Sequence, residues 1–408
     1  MSVTPDSALD GSIGERFSSA EMARRVELAR GLMGENGLDA LVLFGTSATN
    51  GAGMANAFWL SNYLDLHHCY LVVPADEHRE LALYIGLQNH LPGAREISDV
   101  PVIEWGGYDP AATVASRLEE LGIRRGRVGL VGVNAKFSVG MPYGHFVSLR
   151  GALPHVQLTD FTASFQRLRI VKSDEEIARL RKAAALTDDA ILALAAAARP
   201  GVTEAELVAS AEAAYRHEGA VPRITFLRSM AMDDPTGCVP AQVPSRRRLK
   251  AGDVVITEVS ASYFGYTGQI HRPVFVDSEP TAEWRRMFDA ARTAYNEMAA
   301  AMRPGAHEAD IIRAAEPISA AGYEIYDDLI HGYGVDIMAP LIDRHCFGRP
   351  PDDRGERFER NMTIVIQPNP ITPDERMGLQ VGALTVVTET GAESLHRVPL
   401  EPLTNAHA

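Results

Sequence analysis

The sequence predicts two domains, an α/β domain followed by an α+β domain built from two similar halves. The chain has 408 residues, more than one hydrophobic core usually serves. Short apolar runs alternate with helical segments as far as Ile170, and beyond that point one segment occurs twice. We therefore predict a flexible tail over 1–16, a first domain over 17–170 and a second domain over 171–408.

The first domain is predicted to begin with a helix. Ser18 and Glu21 have the spacing of a capping box, and Gly37 is a typical residue at which such a helix ends. Short apolar runs after Gly37 predict buried strands, and a helical segment at 112–121 precedes the last of them. These runs are 39–45, 69–73, 81–85 and 128–131. Strands that alternate with helices are typical of an α/β domain.

The second domain contains an internal repeat. The segment RPGVTEAELVA at 199–209 recurs as RPGAHEADIIR at 303–313. Each copy follows an alanine-rich helix, and its Pro-Gly pair ends that helix before the next one begins. Strand-like stretches follow each copy, at 253–258 and 266–276 and then at 363–367 and 384–388. Because the repeat occurs only twice, it favours a duplicated half-domain over a solenoid.

Composition excludes several classes of partner. The balance of 39 basic and 53 acidic residues gives a net charge of −14, which argues against nucleic acid and anionic membranes. No apolar run approaches the roughly 20 residues of a membrane helix, and the N-terminus does not have the pattern of a secretory signal. Cys69, Cys238 and Cys346 form no C-x-x-C pair, so we expect reduced thiols and a cytoplasmic protein.

Five motifs resemble one known family. They are the stretch from Lys172 to Ala183, LKAGDVV at 249–255, Gly265-Tyr266, HGYG at 331–334 and VTETG at 387–391. Their order and spacing are similar to those of the pita-bread family, which includes creatinase, prolidase, aminopeptidase P and methionine aminopeptidase. The resemblance implies a creatinase-like first domain, a pita-bread second domain with a pseudo-twofold repeat, and a homodimer. It leaves open whether a partner subunit completes the site and what His67 and His68 do.

In the metallopeptidases of this family, two Asp, one His and two Glu hold a pair of divalent ions. The resemblance lays these positions on Glu258, Gln269, His331, Gln367 and Gly382. Glutamine is a weak neutral ligand, glycine has no side chain, and one carboxylate does not neutralise two divalent ions. We therefore expect no catalytic metal pair and no cofactor, as in a metal-free branch that resembles creatinase and the ectoine hydrolases.

The same comparison predicts a polar pocket. Glu258 lies on one predicted strand, and Gln269 and His271 share a face of the returning strand. We predict that Glu258, His331 and His271 are catalytic, since two imidazoles beside a carboxylate make an acid–base set, and the carboxylate is expected to raise the histidine pKa. Each of the three also has an ordinary structural interpretation. The predicted substrate-binding residues are Gln269, Gln367, Arg272 and Tyr263.

The function predicted from these residues is a metal-independent enzyme acting on a small polar, nitrogen-containing metabolite. Hydrolysis of a C–N bond is the favoured reaction, with Glu/His acid–base catalysis or Glu258 as nucleophile. Three alternatives remain: a non-catalytic ligand- or peptide-binding module, an atypical Xaa-Pro metallopeptidase, and a non-hydrolytic biosynthetic enzyme. The substrate itself depends on segments 230–243 and 336–349, in which no motif indicates a ligand.

Overall fold

The computed structural model describes residues 15–48, 51–133, 140–342 and 357–404. The chain divides into two compact units between Arg169 and Ile170. Most of the predicted tail, part of the 336–349 segment and Cys346 lie outside the described residues. Cys69 and Cys238 are free thiols. Within the described residues, no helix is long and apolar enough to cross a membrane.

The N-terminal unit is an α/β domain with one six-stranded sheet. The strands are β1 Ala40–Thr46, β2 His68–Pro74, β3 Ala82–Ile85, β4 Val102–Trp105, β5 Gly126–Val131 and β6 Val156–Asp160. Their order in the sheet is β4-β3-β2-β1-β5-β6. The pairs β1–β5, β5–β6 and β3–β4 are parallel, and the pairs β1–β2 and β2–β3 are antiparallel. The helices are α1 Ser19–Asn36, α2 Ala55–Ser61, α3 Leu91–Ile97, α4 Pro110–Glu120, α5 Tyr143–Ala152 and α6 Thr162–Arg167.

The ends of the first helix follow the predicted chemistry. The Ser18 hydroxyl accepts a hydrogen bond from the Glu21 amide at 3.1 Å, which satisfies one of the free amides of the first turn. Gly37 ends the helix with φ of 60°, a conformation that costs glycine little.

The C-terminal unit is an α+β domain around an 11-stranded sheet. Its helices are α7 Asp174–Ala197, α8 Glu204–Arg216, α9 Ala282–Ala301, α10 Glu308–Ala314 and α11 Glu316–Ala320. Its strands are β7 Val221–Ala231, β8 Asp253–Tyr263, β9 Tyr266–Thr267, β10 Ile270–His271, β11 Val274–Phe275, β12 Glu324–Ile325, β13 Ile330–Tyr333, β14 Ile337–Ile342, β15 Thr363–Ile366, β16 Pro370–Ile371, β17 Gly382–Val387, β18 Ala392–Ser394 and β19 Leu403–Thr404. The main path through the sheet is β14-β13-β15-β17-β10-β8-β11-β19.

The internal repeat corresponds to the same local structure in both halves. Gly201 and Gly305 have φ of 93° and 85°, the left-handed values that glycine adopts at low cost. Each glycine is followed by a capped helix. In α8 the cap is Thr203 with Glu206, and in α10 His307 with Asp310 takes the same place. The second helix of each half therefore begins with the same glycine turn and the same type of cap.

The strand that returns after β8 is shorter and more broken than predicted. The stretch 266–276 forms three pieces, β9, β10 and β11. A side chain at Gly268 would lie 2.6 Å from Thr187 Oγ1 and 2.7 Å from the carbonyl oxygen of Ala183, so helix α7 closely approaches the backbone between β9 and β10. Pro273 separates β10 from β11, where a proline can donate no ladder hydrogen bond.

Strand β8 lies between one hydrophobic cluster of the C-terminal unit and the pocket. Val255 and Val259 belong to one cluster with Leu194 of α7 and Tyr215 of α8. Because side chains alternate along a strand, Glu258 and Ser260 project to the opposite face.

Candidate active site

Neighbouring strands of the C-terminal sheet bring five predicted residues together. Ile270 pairs with Val259 and His271 with Gly382, so Gln269 and His271 lie beside Glu258 in the ladder. His331 lies on β13, and Gln367 directly follows β15, the strand paired with β13. Gln269, His271, His331 and Gln367 are at most 2% exposed, whereas Glu258 keeps partial access to solvent. These five side chains are called the pocket below.

Hydrogen bonds fix the orientation of three pocket side chains. Gln269 Nε2 donates to Glu258 Oε1 at 2.9 Å and lies 3.0 Å from His271 Nε2. An amide nitrogen has two hydrogens to donate and no free acceptor, so His271 Nε2 is the acceptor and its Nδ1 carries the proton. The side chain of Asn369 lies beside the His271 ring, and its Oδ1 accepts from the amide of Val381 at 3.0 Å.

Burial decides the protonation of the pocket at neutral pH. Burial, and then the charge of Asp327, raise the pKa of Glu258 to about 8. Burial lowers the pKa of His331 to about 4, and burial together with His331 lowers the pKa of His271 to about 3. Hence both imidazoles are neutral and Glu258 is largely protonated at pH 7. The sequence predicted that a neighbouring carboxylate raises the histidine pKa. This is wrong here, because desolvation lowers the pKa by more than a carboxylate raises it.

Two pocket neighbours were not found from the sequence. Asp327 and Asp328 precede β13, and the Asp328 amide donates to Asp327 Oδ1 at 2.8 Å. Gln367 Nε2 donates to the Asp328 carbonyl at 3.3 Å and lies 3.5 Å from Asp327 Oδ2. Burial and then Asp327 raise the pKa of Asp328 to about 9. The available signal was an Asp pair just before the His331 motif, but loop residues have no periodicity that indicates where they point.

Arg272 does not project into the pocket. It follows His271 in sequence and points to the other side of the sheet, where Nε and both Nη atoms donate to the carbonyls of Pro399, Val398, His271 and Gly382 at 2.7–3.1 Å. Burial lowers its pKa to about 10. The structure therefore gives Arg272 a structural role in place of the predicted contact with substrate.

Tyr263 also lies away from the pocket, five positions from Glu258 and so on the opposite face of β8. It packs edge-on against the ring of Phe264, with centroids 4.8 Å apart, and belongs to the same hydrophobic cluster as Val255. His67 and His68 lie in the N-terminal unit, with their Nδ1 atoms 2.7 Å apart.

The five positions that the resemblance assigns to metal do not fit a pair of ions. Gln269 turns its amide nitrogen, a donor, toward Glu258, and so does not offer its oxygen there. A Cβ at Gly382 would collide with the Ile366 carbonyl and lie 3.0 Å from Gln367 Cα. The backbone therefore leaves no room at position 382 for a side chain that could bind a metal. In the described part of the chain, no three His, Cys, Asp or Glu side chains are arranged to hold a metal.

Comparison with known proteins places the chain in a class of two-domain hydrolases. Residues 25–171 match the creatinase/prolidase N-terminal domain, and residues 178–389 match metallopeptidase family M24. The second match covers more than half of the chain, and the chain belongs to metallopeptidase family M24. The predicted fold class, a creatinase-like α/β domain followed by an α+β pita-bread domain, is confirmed.

Individual relatives match over nearly the whole chain. The Xaa-Pro dipeptidase of Pyrococcus furiosus is 26% identical over 386 residues, which cover 94% of this chain and 100% of the relative. The uncharacterized peptidase YqhT of Bacillus subtilis is 25% identical over 92% of this chain and 99% of its own length. The crystal structure of a Pyrococcus horikoshii prolidase has a TM-score of 0.76 at 21% identity, covering 93% of this chain and 99% of that one. A dipeptidase from Mycobacterium ulcerans has a TM-score of 0.76 at 26% identity, covering 96% and 99%.

These relatives correct the predicted function. A metal-independent enzyme for a small polar metabolite is wrong, because the family is one of metallopeptidases and the relative from Pyrococcus furiosus is a Xaa-Pro dipeptidase. The finer resemblance to creatinase and ectoine hydrolases has no support among them. The prediction also counted Glu258 as the only carboxylate of the site, whereas the fold adds Asp327 and Asp328 beside it. Insufficient negative charge therefore does not by itself exclude a metal pair.

Proposed function

We propose that this protein is an atypical Xaa-Pro dipeptidase that hydrolyses the C–N bond of a short peptide. The observation that carries the proposal is the 26% identity to a Xaa-Pro dipeptidase over its full length. The pocket adds a chemical reason, because it holds one carboxyl group and two imidazoles on strands of the same sheet. The site is atypical because four of the five assigned metal positions differ from the family pattern.

The protonation states of Glu258 and His331 suggest a catalytic role for each. Glu258, with a pKa of about 8, is an acid that can donate a proton at neutral pH. His331, with a pKa of about 4, is a neutral imidazole that can accept one. These roles concern proton transfer alone and do not make the reaction independent of metal. As water adds to the amide carbon, His331 takes its proton. Glu258 protonates the amide nitrogen, the C–N bond breaks, and His331 then returns its proton to Glu258.

The remaining pocket residues position these groups. Gln269 donates to Glu258 Oε1 and to His271, so it fixes the rotamer of the carboxyl group and leaves Oε2 to carry the proton. His271 completes that hydrogen-bonded chain, and we assign it a positioning role within the proposed acid–base set. Gln367 and Gln269 are the proposed contacts to the polar groups of the substrate. The homodimer that the resemblance implies stays a prediction.

A substrate panel tests the proposed function. Purified protein would be incubated with alanylproline, glycylproline, leucylproline and alanylalanine, and release of the free amino acids would be measured. Each reaction would be run in chelator and again with Mn²⁺, Co²⁺ or Zn²⁺, so that a metal requirement does not hide activity. We expect hydrolysis of at least one Xaa-Pro dipeptide, faster than that of alanylalanine.

Glu258→Gln and His331→Ala are the matched variants for this assay. Loss of one proton-transfer group costs about 10²- to 10⁴-fold in rate. If no dipeptide is cleaved under any condition, or if both variants keep full activity, the proposed function is wrong. Metal content of the purified protein, measured by elemental analysis, would show which ions accompany the activity.

A further inference from the structure

A buried Asp–His pair lies close to Arg272 in the C-terminal unit. Asp188 of α7 accepts a hydrogen bond from His396 Nδ1 at 2.8 Å on one oxygen and from the Arg397 amide at 2.7 Å on the other. The two side chains are 2% and 0% exposed. The carboxylate only accepts hydrogen bonds, so His396 Nδ1 carries the proton. Helix α7 therefore holds the segment after β18 by two directed hydrogen bonds.

The segment that Asp188 holds supplies hydrogen-bond acceptors to Arg272. Val398 and Pro399 directly follow Arg397, and their carbonyl oxygens accept from Arg272 Nη2 at 3.1 Å and from Nε at 2.8 Å. Burial lowers the pKa of Arg272, and the charge of Asp188 is among those that raise it, so the two groups are close. The position of these two acceptors therefore depends on the anchor at Asp188.

Arg272 in turn fixes the backbone of His271. Its Nη1 donates to the carbonyl oxygens of His271 and Gly382, both at 2.7 Å, and these two residues pair across β10 and β17. The His271 ring lies 3.0 Å from Gln269 Nε2, which donates to Glu258. A series of hydrogen bonds and short backbone steps therefore connects α7 with the pocket.

The Asp–His pair is a poor source of stability. Burial of a carboxylate and an imidazole costs desolvation energy that their mutual attraction does not reliably exceed. His396 Nε2 adds to that cost, since it is buried without a hydrogen-bond partner among the described residues. A directed polar contact does, however, restrict the segment to one position, which an apolar contact of similar size would not. These features favour a positioning role over a stabilising one.

We propose that Asp188 and His396 are positioning residues for His271, acting through Arg272. The inference rests on the proposed dipeptidase function for its kinetic consequence, since His271 belongs to the proposed acid–base set around Glu258. It deepens that function by adding a pair of residues outside the pocket on which the rate depends. The state of the His271 ring can also be measured without turnover.

Two substitutions at Asp188 separate its hydrogen bonds from its charge. Asp188→Ala removes both acceptors, so the segment that supports Arg272 loses its anchor. In Asp188→Asn, Oδ1 can accept from the Arg397 amide, and Nδ2 can donate to His396 Nδ1 once that imidazole takes its other tautomer. Asp189→Ala is the matched control. Asp189 is the next residue of α7, is half exposed, and forms only a weak ion pair with Arg397 Nη2 at 3.7 Å.

The spectroscopic test follows the imidazoles in protein that contains isotope-labelled histidine. Long-range nitrogen–proton correlation spectra distinguish the Nδ1–H and Nε2–H tautomers, and the signals lost in His271→Gln and His396→Asn assign the two rings. We expect His271 to be the Nδ1–H tautomer in the wild-type protein, in Asp188→Asn and in Asp189→Ala. In folded Asp188→Ala its signals should shift toward a tautomeric average. His396 should change from Nδ1–H to Nε2–H in Asp188→Asn.

The kinetic test uses alanylproline under the conditions of the substrate panel. We expect Asp188→Ala to lower kcat about 10- to 100-fold with KM within about twofold of the wild-type value, since a displacement of about 1 Å in a positioned group has such an effect. Asp188→Asn should restore most of kcat, and Asp189→Ala should leave both constants unchanged. If Asp188→Ala does not fold, His396→Ala and His396→Asn repeat the comparison, because the asparagine amide can donate to Asp188 in place of Nδ1.

The two measurements distinguish this inference from the proposed function. If no dipeptide is cleaved but the His271 signals change in Asp188→Ala and not in Asp188→Asn, the proposed function fails and the positioning role stands. Wild-type kcat or wild-type His271 signals in folded Asp188→Ala overturn the positioning role. An equal loss of kcat in Asp188→Asn and Asp188→Ala also overturns it, because the charge of Asp188 and not its hydrogen bonds would then set the rate.

Discussion

Glu258 shows how one residue depends on its surroundings. A glutamate on a strand has an ordinary pKa near 4.3, but burial and Asp327 raise the pKa of this one to about 8. His331 is affected in the opposite sense, because burial also disfavours its charged form. The carboxyl group and the imidazole are therefore both neutral across a broad range around pH 7, which suits an acid and a base that act together.

These two values predict the pH dependence of hydrolysis. Between pH 4 and pH 8 Glu258 is protonated and His331 is neutral, so kcat/KM should be highest there. Above pH 8 Glu258 loses its proton and kcat/KM should fall about tenfold per pH unit, and below pH 4 protonation of His331 should cause a similar fall. A rate that rises through pH 8 would contradict the acid role of Glu258.

The amino group of a dipeptide also titrates near pH 8 and needs a control. Because Asp327 raises the pKa of Glu258, Asp327→Asn should move the Glu258 limb of the profile to lower pH. A limb caused by the substrate amine would stay in place.

Arg272 gives a second prediction at the residue scale. Its guanidinium donates to four carbonyl oxygens on the side of the sheet away from the pocket, and lysine cannot reproduce that planar arrangement. We expect Arg272→Lys to lower the free energy of unfolding by about 2–4 kcal/mol, measured by urea denaturation. KM of the folded fraction should not change. A raised KM with unchanged stability would instead support the contact with substrate predicted from the sequence.

At the scale of elements, the broken strand after β8 positions the pocket. Gly268 lies between β9 and β10, and its contact with α7 places Gln269 and His271 next to Glu258. Helix α7 can approach this closely because Gly268 has no side chain. The sequence predicted one strand-like stretch over 266–276, because it does not show where helix α7 packs against the backbone.

Gly268→Ala tests this element. The added Cβ would meet Thr187 Oγ1 at 2.6 Å and the Ala183 carbonyl at 2.7 Å, so either the strand or α7 must shift. We expect a loss of about 1–3 kcal/mol of stability together with reduced kcat, because Gln269 and His271 move with the backbone.

Gly31→Ala is the matched control. Gly31 lies within α1, and an added Cβ would meet no atom within 4 Å. This change should stabilise the protein by about 0.5–1 kcal/mol. Equal stability of the two variants in a thermal or urea melt would show that the contact with α7 is unimportant.

At the scale of the whole molecule, the internal repeat explains where the site forms. Each half contributes a helix pair and strands to one sheet, and β17 of the second half pairs with β10 of the first. Glu258, Gln269 and His271 come from the first half, and His331 and Gln367 come from the second. The site therefore requires both halves, which is why the motif residues are far apart in the chain.

The sequence by itself determined the fold class and the internal repeat, and its resemblance to the pita-bread family assigned the five metal positions. The fold class and the repeat depend on periodicity, capping and motif spacing, which are local features of the sequence. The resemblance also indicated the pocket residues Glu258, Gln269, His271, His331 and Gln367, and strand alternation indicated that Gln269 and His271 share a face. Only the tertiary structure placed Asp327 and Asp328 beside them, turned Arg272 away and made the pocket neutral. These properties depend on burial and on contacts between residues distant in sequence, and neither is set by local pattern.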